Sequence, residues 1–223
     1  RYHGFGLNNE AMEALAYALP YKLLARYLDH EKQCKALIFG QAALIDKYPN
    51  EEERVQIRAE YAFLRHKHSL EPISSSLWKR LRTRPASFPE YRLQQLTDLL
   101  RSGRWSLSAV LSVRTAQELH TLLTPLSSNS ADSIGINVLL PFAYAHGKVH
   151  EGKEIEPYLS LLATLPAENN KITRLFSKAG IKIKNALESQ AVLQLYRDYC
   201  EVHKCLYCHW GRLLLSKPFE GDN

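Results

Sequence analysis

Three cysteines and a histidine crowd the C-terminal end of the sequence: Cys200, His203, Cys205 and Cys208, in the spacing C-x2-H-x-C-x2-C. Thiolates and imidazoles in one stretch are the ligand types that suit zinc. Read without the histidine, C-x4-C-x2-C matches the first three positions of a plant-type iron–sulfur spacing, with Cys34 as a remote fourth. Both readings meet a geometric obstacle. The surrounding apolar pattern is helical, and on a helix Cys205 and Cys208 share a face while Cys200 lies far round. A break near Lys204 would be needed to bring them together. Without one, Cys205 and Cys208 read as small buried core residues, the usual state of free cysteine. The expectation is therefore no cofactor, with zinc and then iron–sulfur as alternatives.

A second stretch could bind phosphate. Between Arg54 and Arg104 there are 11 Lys or Arg and 4 Asp or Glu, a net of +7; the remainder of the chain, with 18 and 19, has a net of −1. The densest part is Trp78-Lys79-Arg80-Leu81-Arg82-Thr83-Arg84-Pro85. On a short helix around Leu77–Leu81, Arg80 and Arg84 share a face while Trp78 and Leu81 point inward. Guanidinium forks bind phosphate oxygens in pairs, and a basic stripe gives affinity that falls steeply with salt. Lys79, Arg80, Arg82, Arg84 and Arg92 are the candidate nucleic-acid contacts. The competing reading is a solvated loop whose arginines pair with carboxylates such as Glu51–Glu53 or cap helix ends.

Other constellations are weaker. His66 and His68 stand at i,i+2 and diverge on a helix. His146 and His150 stand at i,i+4 but flank Gly147. Glu168-Asn169-Asn170 reads best as helix capping. The sequence holds no G-x-S-x-G, Walker loop, dinucleotide-binding glycine motif or H-E-x-x-H, so no catalytic set can be assembled from it.

The elements that must position these residues are helical. The chain has 223 residues, 45% hydrophobic and 23% charged, with a formal charge of +6 and 10 glycines and 10 prolines. That is ordinary globular composition. Four unevenly spaced cysteines exclude a secreted disulfide scaffold, and no apolar run approaches the ~20 residues of a membrane span. No signal peptide is visible, so the expected location is the cytoplasm. The only methionine is Met12, so the chain is expected to be a fragment or processed product. Asn9, Pro20, Asn170 and Asn185 mark helix starts, and Glu51-Glu52-Glu53 opens another after the break at Tyr48-Pro49-Asn50. Leu37, Ile38, Gln41 and Ala42 recur at helical spacing, as do Val55, Ala59, Ala62 and Phe63, and the second set is expected to be buried on one stripe. Strand-like alternation is confined to Ile181–Lys184. The fold class is all-α, with roughly ten helices. A Pro-Leu-Ser-Ser-Asn-Ser-Ala-Asp-Ser stretch suggests a linker at 124–133 between helical subdomains at 1–123 and 134–223.

Several phrases in order carry a family resemblance: Gly6-Leu7-Asn8-Asn9-Glu10, Leu37-Ile38-Phe39-Gly40-Gln41-Ala42, Glu60-Tyr61-Ala62-Phe63-Leu64, Arg84-Pro85-Ala86-Ser87-Phe88-Pro89, Asn137-Val138-Leu139-Leu140-Pro141-Phe142, Pro166-Ala167-Glu168-Asn169-Asn170 and Cys205-Leu206-Tyr207-Cys208. Together they resemble the C-terminal part of a bacterial family known as domain of unknown function 2851. The resemblance implies a longer parent protein whose β-rich N-terminal half, absent here, loosely suggests a metal-dependent nuclease core. No catalytic residue carries over. The resemblance also implies a basic residue rather than a ligand at the His203 position, and a longer segment where this chain has 124–133.

The expectation that follows is a helical accessory domain contacting nucleic acid through the arginine segment, or else a structural or dimerising domain without activity of its own. Expected partners are the missing N-terminal half, nucleic acid or a second copy, and no membrane.

Overall fold

Asparagine side chains set several of the helix starts. A computed structural model of the chain describes residues 7–81, 88–152 and 155–215. Of these, 71% are helical and none forms a strand; a single isolated bridge pairs Pro166 with Asn185. The all-α expectation holds. The chain divides into two compact units, residues 1–113 with 117–139, and residues 114–116 with 140–223.

The first unit contains α1 (Asn9–Ala18), α2 (Tyr21–Leu24), α3 (Glu31–Gln41), α4 (Glu51–His68), α5 (Pro89–Arg101), α6 (Leu107–Ser112), α7 (Ala116–Leu122, from its second residue) and α8 (Ser128–Ile134). Its centre is α3, in which every residue from Cys34 to Gln41 is buried. A helix apolar all round belongs in the middle of a bundle. α4 starts at Asn50, whose side chain accepts from the Glu52 and Glu53 amides, and ends at Ser69 in the left-handed region. α4 crosses α3 at Gly40, where any Cβ would collide with the Tyr61 ring. Gln41, fully buried, ties four segments together. Its amide donates to the Ala18 and Glu71 carbonyls, and its oxygen accepts from the Tyr61 hydroxyl at 2.8 Å.

Three expectations change here. α4 carries two apolar stripes, and the core takes Ile57, Tyr61 and Leu64. Val55, Ala59, Ala62 and Phe63 lie outside, with Val55 66% and Phe63 60% exposed. The larger side chains fill the space beside α3, and only Tyr61 reaches Gln41. Second, the expected helix at Leu77–Leu81 is a 3-10 turn at Ser75–Leu77. Trp78 is buried because its indole N–H donates to the Ala42 carbonyl at 2.7 Å, whereas Leu81 is 86% exposed. Third, residues 124–133 contain α8, with Ser130, Ala131 and Asp132 buried. His120 Nε2 meets Asp132 Oδ1 at 2.7 Å, and the Ser127 and Ser130 hydroxyls pair at 2.9 Å, so polar residues there serve packing. The units divide after Leu139, at the end of a π-helical turn, Gly135–Leu139.

The second unit holds α9 (Leu140–Glu151), α10 (Glu156–Thr164), α11 (Lys171–Lys178), α12 (Ala186–Leu195) and α13 (His209–Leu215). Pro141 is the second residue of α9, which follows the π-turn Gly135–Leu139 with no break in the run of helical residues. A reciprocal capping box opens α11: Asn170 accepts from the Ile172 and Thr173 amides, and Thr173 Oγ1 accepts from the Asn170 amide. Asn185 caps α12 through the Glu188 amide at 2.9 Å, and α12 continues as a π-turn, Tyr196–Cys200. Its core includes Tyr158, Leu161, Leu165, Ala186 and Leu193.

Candidate functional site

The described cations of the basic segment are held by protein partners. Arg54 donates to the Tyr48 carbonyl at 2.9 Å, and Arg58 pairs with Asp46. Arg65 bonds Glu71 at 3.1 Å. Lys79 lies 3.6 Å from Glu10, and Arg80 lies 2.8 Å from Glu90. Arg92 donates to Gln95, Arg101 to the Leu28 carbonyl and Glu31, and Arg104 to the Thr121 carbonyl. Lys67 lies over the rings of Tyr27 and Phe63. The Arg80–Glu90 pair is the most constrained, because the Glu90 side chain is only 10% exposed and the Arg80 guanidinium also covers the Phe88 ring. The backbone at this point is fastened by Asn8, whose side-chain amide donates to the Lys79 carbonyl at 3.1 Å and whose oxygen accepts from the Lys79 N–H at 2.8 Å. Of the five candidate contacts, Lys79, Arg80 and Arg92 are thus placed in distinct protein contacts. Arg82 and Arg84 lie outside the described residues.

The cysteine-rich end contains the break that converging ligands would need. After the π-turn the chain reverses at His203, which adopts a left-handed conformation with φ 55°. The Lys204 amide bonds back to the Tyr199 carbonyl at 2.8 Å, and a 3-10 turn, Cys205–Tyr207, leads into α13. α13 packs so closely that a Cβ at Gly211 would collide with the Cys205 carbonyl. Cys208 is buried, as expected of a packing residue, but Cys205 and Cys200 are exposed, so Cys205 is not the core residue the helical reading expected. Partial desolvation raises the Cys200 thiol above its ordinary range, and the nearby Cys208 and Cys205 thiols push in the same direction. No group of three or more Cys, His, Asp or Glu among the described residues is arranged to hold a metal ion. Cys34 lies inside the first unit with no exposed surface, and burial pushes its thiol up to about 11. A thiol so buried and so weakly acidic is a poor fourth ligand.

Only one of the two histidine pairs departs from expectation, since His146 and His150 share a helix and do not flank a turn. His68 is drawn against the first unit by the Tyr27 hydroxyl at 2.6 Å. His146 and His150 both lie on α9, their ring centroids 4.5 Å apart.

One cluster escaped sequence reasoning. Lys35 on α3 is buried, and its ammonium contacts Glu31 at 2.7 Å and Glu53 at 2.9 Å. The Tyr48 hydroxyl donates to Glu53 at 2.8 Å, and Arg101 meets Glu31 at 3.2 Å. A cavity of about 270 Å³ opens beside it, lined by Glu31, Lys32, Lys35, Glu53, Gln56 and Ile57. Burial acts to lower Lys35, but its bonds to Glu31, Tyr48 and Glu53 outweigh that and hold the ammonium above its usual range. Lys35 hydrogen bonds likewise hold Glu31 and Glu53 below theirs. A lysine kept protonated in this way is a strut between helices, not a nucleophile. The Glu31–Lys35 spacing of four was the one available signal; Glu53 was not foreseeable.

Fold and site together define a protein that is all-helical over its described residues, in two compact units, with the described cations of the basic segment meeting partners within the first unit. The chain belongs to the family described as protein of unknown function (DUF2851), whose model matches residues 1–125. The match covers most of the first unit; the resembling phrases at 137–142, 166–170 and 205–208 lie beyond it. No curated protein and no solved structure matches the chain. No described helix is long and apolar enough to cross a membrane.

Proposed function

We propose that this chain is a helical interaction domain that self-associates through the exposed stripe of α4. The observation that carries the reading is Val55, Ala59, Ala62 and Phe63 on the outer face, at i, i+4, i+7 and i+8. A helix buries one apolar stripe in its own core and needs no second. The stripe also has a shape. Alanines sit at its middle, where two helices crossing would approach most closely, and larger side chains sit towards its ends.

The charge along α4 supports a second copy as the occupant. Its first turn holds Glu51, Glu52 and Glu53, and its last turn holds Arg65, His66, Lys67 and His68. That polarity favours the helix macrodipole. It also makes the helix self-complementary when two copies run antiparallel across a two-fold axis, acidic end to basic end. Val55 of one copy then faces the Phe63 end of the other. Polyanion binding through the arginine segment has less support, because the described residues there already have partners.

Sedimentation equilibrium of the chain tests the reading. The expected result is a dimer at tens of micromolar, with Phe63→Glu and Ala59→Arg shifting it to monomer by more than about tenfold in Kd. Both positions are exposed, so melting temperatures should barely move. A wild-type monomer at ~100 μM, where a weak transient interface should already assemble, would remove the proposal.

A further inference from the structure

From the charge of the second unit we infer that residues 171–184 bind the phosphodiester backbone of nucleic acid without regard to sequence. This stretch contains Lys171, Arg174, Lys178, Lys182 and Lys184 and no Asp or Glu. All five are exposed. No ion pair joins any of them to a carboxylate among the described residues; Arg174 alone has a side-chain partner, the neutral Asn169 oxygen at 3.0 Å. Two carboxylates flank the stretch, Glu168 beyond its start and Glu188 close against its Lys184 end, and neither forms an ion pair with the five cations among the described residues. Glu168 accepts from the Gln190 amide, and Glu188 accepts from the Lys184 backbone N–H.

The geometry arranges this charge as a line. On α11, positions 171, 174 and 178 stand at i, i+3 and i+7 and share one face. The opposite face turns inward, with Thr173 buried and Ile172 and Phe176 half-buried. The helix then closes at Gly180, with φ 87° and the Ile181 amide bonded to the Phe176 carbonyl at 3.1 Å. Beyond it Lys182 and Lys184 stand two apart in a non-helical stretch, both exposed, with Ile183 between them half-buried. Successive cations spaced along a ridge suit successive phosphates.

An anionic membrane is the weaker occupant. A helix that lies in a bilayer surface turns its apolar face outward into the lipid, and here that face is largely spent on the unit's own core. Leu175 at 52% exposure is the exception on α11. Lysine and arginine without a base-reading neighbour contact backbone and fix no sequence.

Fluorescence anisotropy of labelled duplex and single-stranded oligonucleotides with the full 223-residue chain tests this. Expected affinity at physiological salt is ~10–100 μM, the range of non-specific electrostatic contact. Lys171→Ala, Arg174→Ala and Lys178→Ala together should abolish measurable binding or flatten the logarithmic salt slope by about 2–3 units, at about 0.7–0.9 per phosphate contact. Arg58→Ala with Arg65→Ala, which removes two paired cations from the first unit, should leave most of the slope intact. Circular dichroism should show both variants folded, since every substituted side chain is exposed. Overturning results are absence of salt-sensitive binding by the wild type, a loss that follows Arg58 and Arg65 instead, or binding to phosphatidylserine vesicles without binding to nucleic acid. The Phe63→Glu monomer should still bind, so failure of self-association and failure of this surface are separable.

Discussion

Two stretches of this chain carry dense positive charge, and they end in opposite electrostatic states. In the first unit the described cations between Arg54 and Arg104 meet carboxylates, carbonyls or rings. In the second unit the cations of 171–184 meet no carboxylate among the described residues. The difference is one of sequence distance. Arg80 finds Glu90, Lys79 finds Glu10, and Arg101 finds Glu31, partners 10 to 70 residues away that a local charge count cannot see. The second stretch is hidden by the opposite error, because acidic residues elsewhere in the remainder cancel it on paper. Surplus charge in a sequence and free charge on a surface are separate quantities.

The largest expected effect lies in the paired region. Gln41→Leu removes the side chain that joins α1, α3, α4 and the Glu71 loop, leaving the Tyr61 hydroxyl and two carbonyls without partners. Urea unfolding should show a loss of about 2–4 kcal/mol. A loss under ~0.5 kcal/mol would mean the hub is a spectator. Next comes Arg80→Ala, which strands a Glu90 carboxylate that is 10% exposed. It should cost about 1–2 kcal/mol, largely restored by adding Glu90→Gln. Lys178→Ala, the matched removal in the unpaired region, should stay within about ±0.5 kcal/mol. A destabilisation equal to that of Arg80→Ala would erase the contrast between the two regions.

Acid titration sharpens it further. Glu31 and Glu53 have depressed folded values, so their stabilisation is complete above the ordinary carboxylate range and is lost as pH falls through the depressed values. Lys35, raised, contributes fully below its ordinary value and loses that only as pH climbs through the raised one. Melts between pH 6 and 2 should therefore fall less steeply in Lys35→Met than in wild type. The smallest effect concerns the cysteines. Cys208→Ser buries a hydroxyl and should cost ~1 kcal/mol, whereas exposed Cys205→Ser should cost almost nothing. Equal large losses in both, accompanied by stoichiometric zinc in elemental analysis, would instead establish a metal site.

Helices were legible where a cap and a single apolar stripe agree. Asn170 and Asn185 announced α11 and α12, the run Glu51-Glu52-Glu53 announced α4, and the spacing of Leu37, Ile38, Gln41 and Ala42 announced α3. Where two stripes compete, as on α4, periodicity identifies the helix but not its inner face; the fit of Tyr61 over Gly40 decides that. Residues 127–133 misled for a related reason, since Ser130 and Asp132 are polar yet buried by partners at Ser127 and His120. At the cysteine cluster the need for a break near Lys204 was legible, and the left-handed His203 supplies it. Which thiol the break buries was not, because that depends on how α13 meets the turn.

The clasp between Asn8 and Lys79 bears on motion. It closes a loop 71 residues long with one side chain that imitates a neighbouring strand, donating to the carbonyl and accepting from the N–H of the same residue. Closing so long a loop is a real entropic demand, though it grows only slowly with length. The clasp therefore holds only while α1 stays docked, and α1 with the Lys79 peptide should open as one event. Native-state hydrogen exchange would register this as a single protection factor shared by the Lys79 amide and the amides of α1. Asn8→Ala should uncouple them, letting the Lys79 amide exchange early while α1 remains protected.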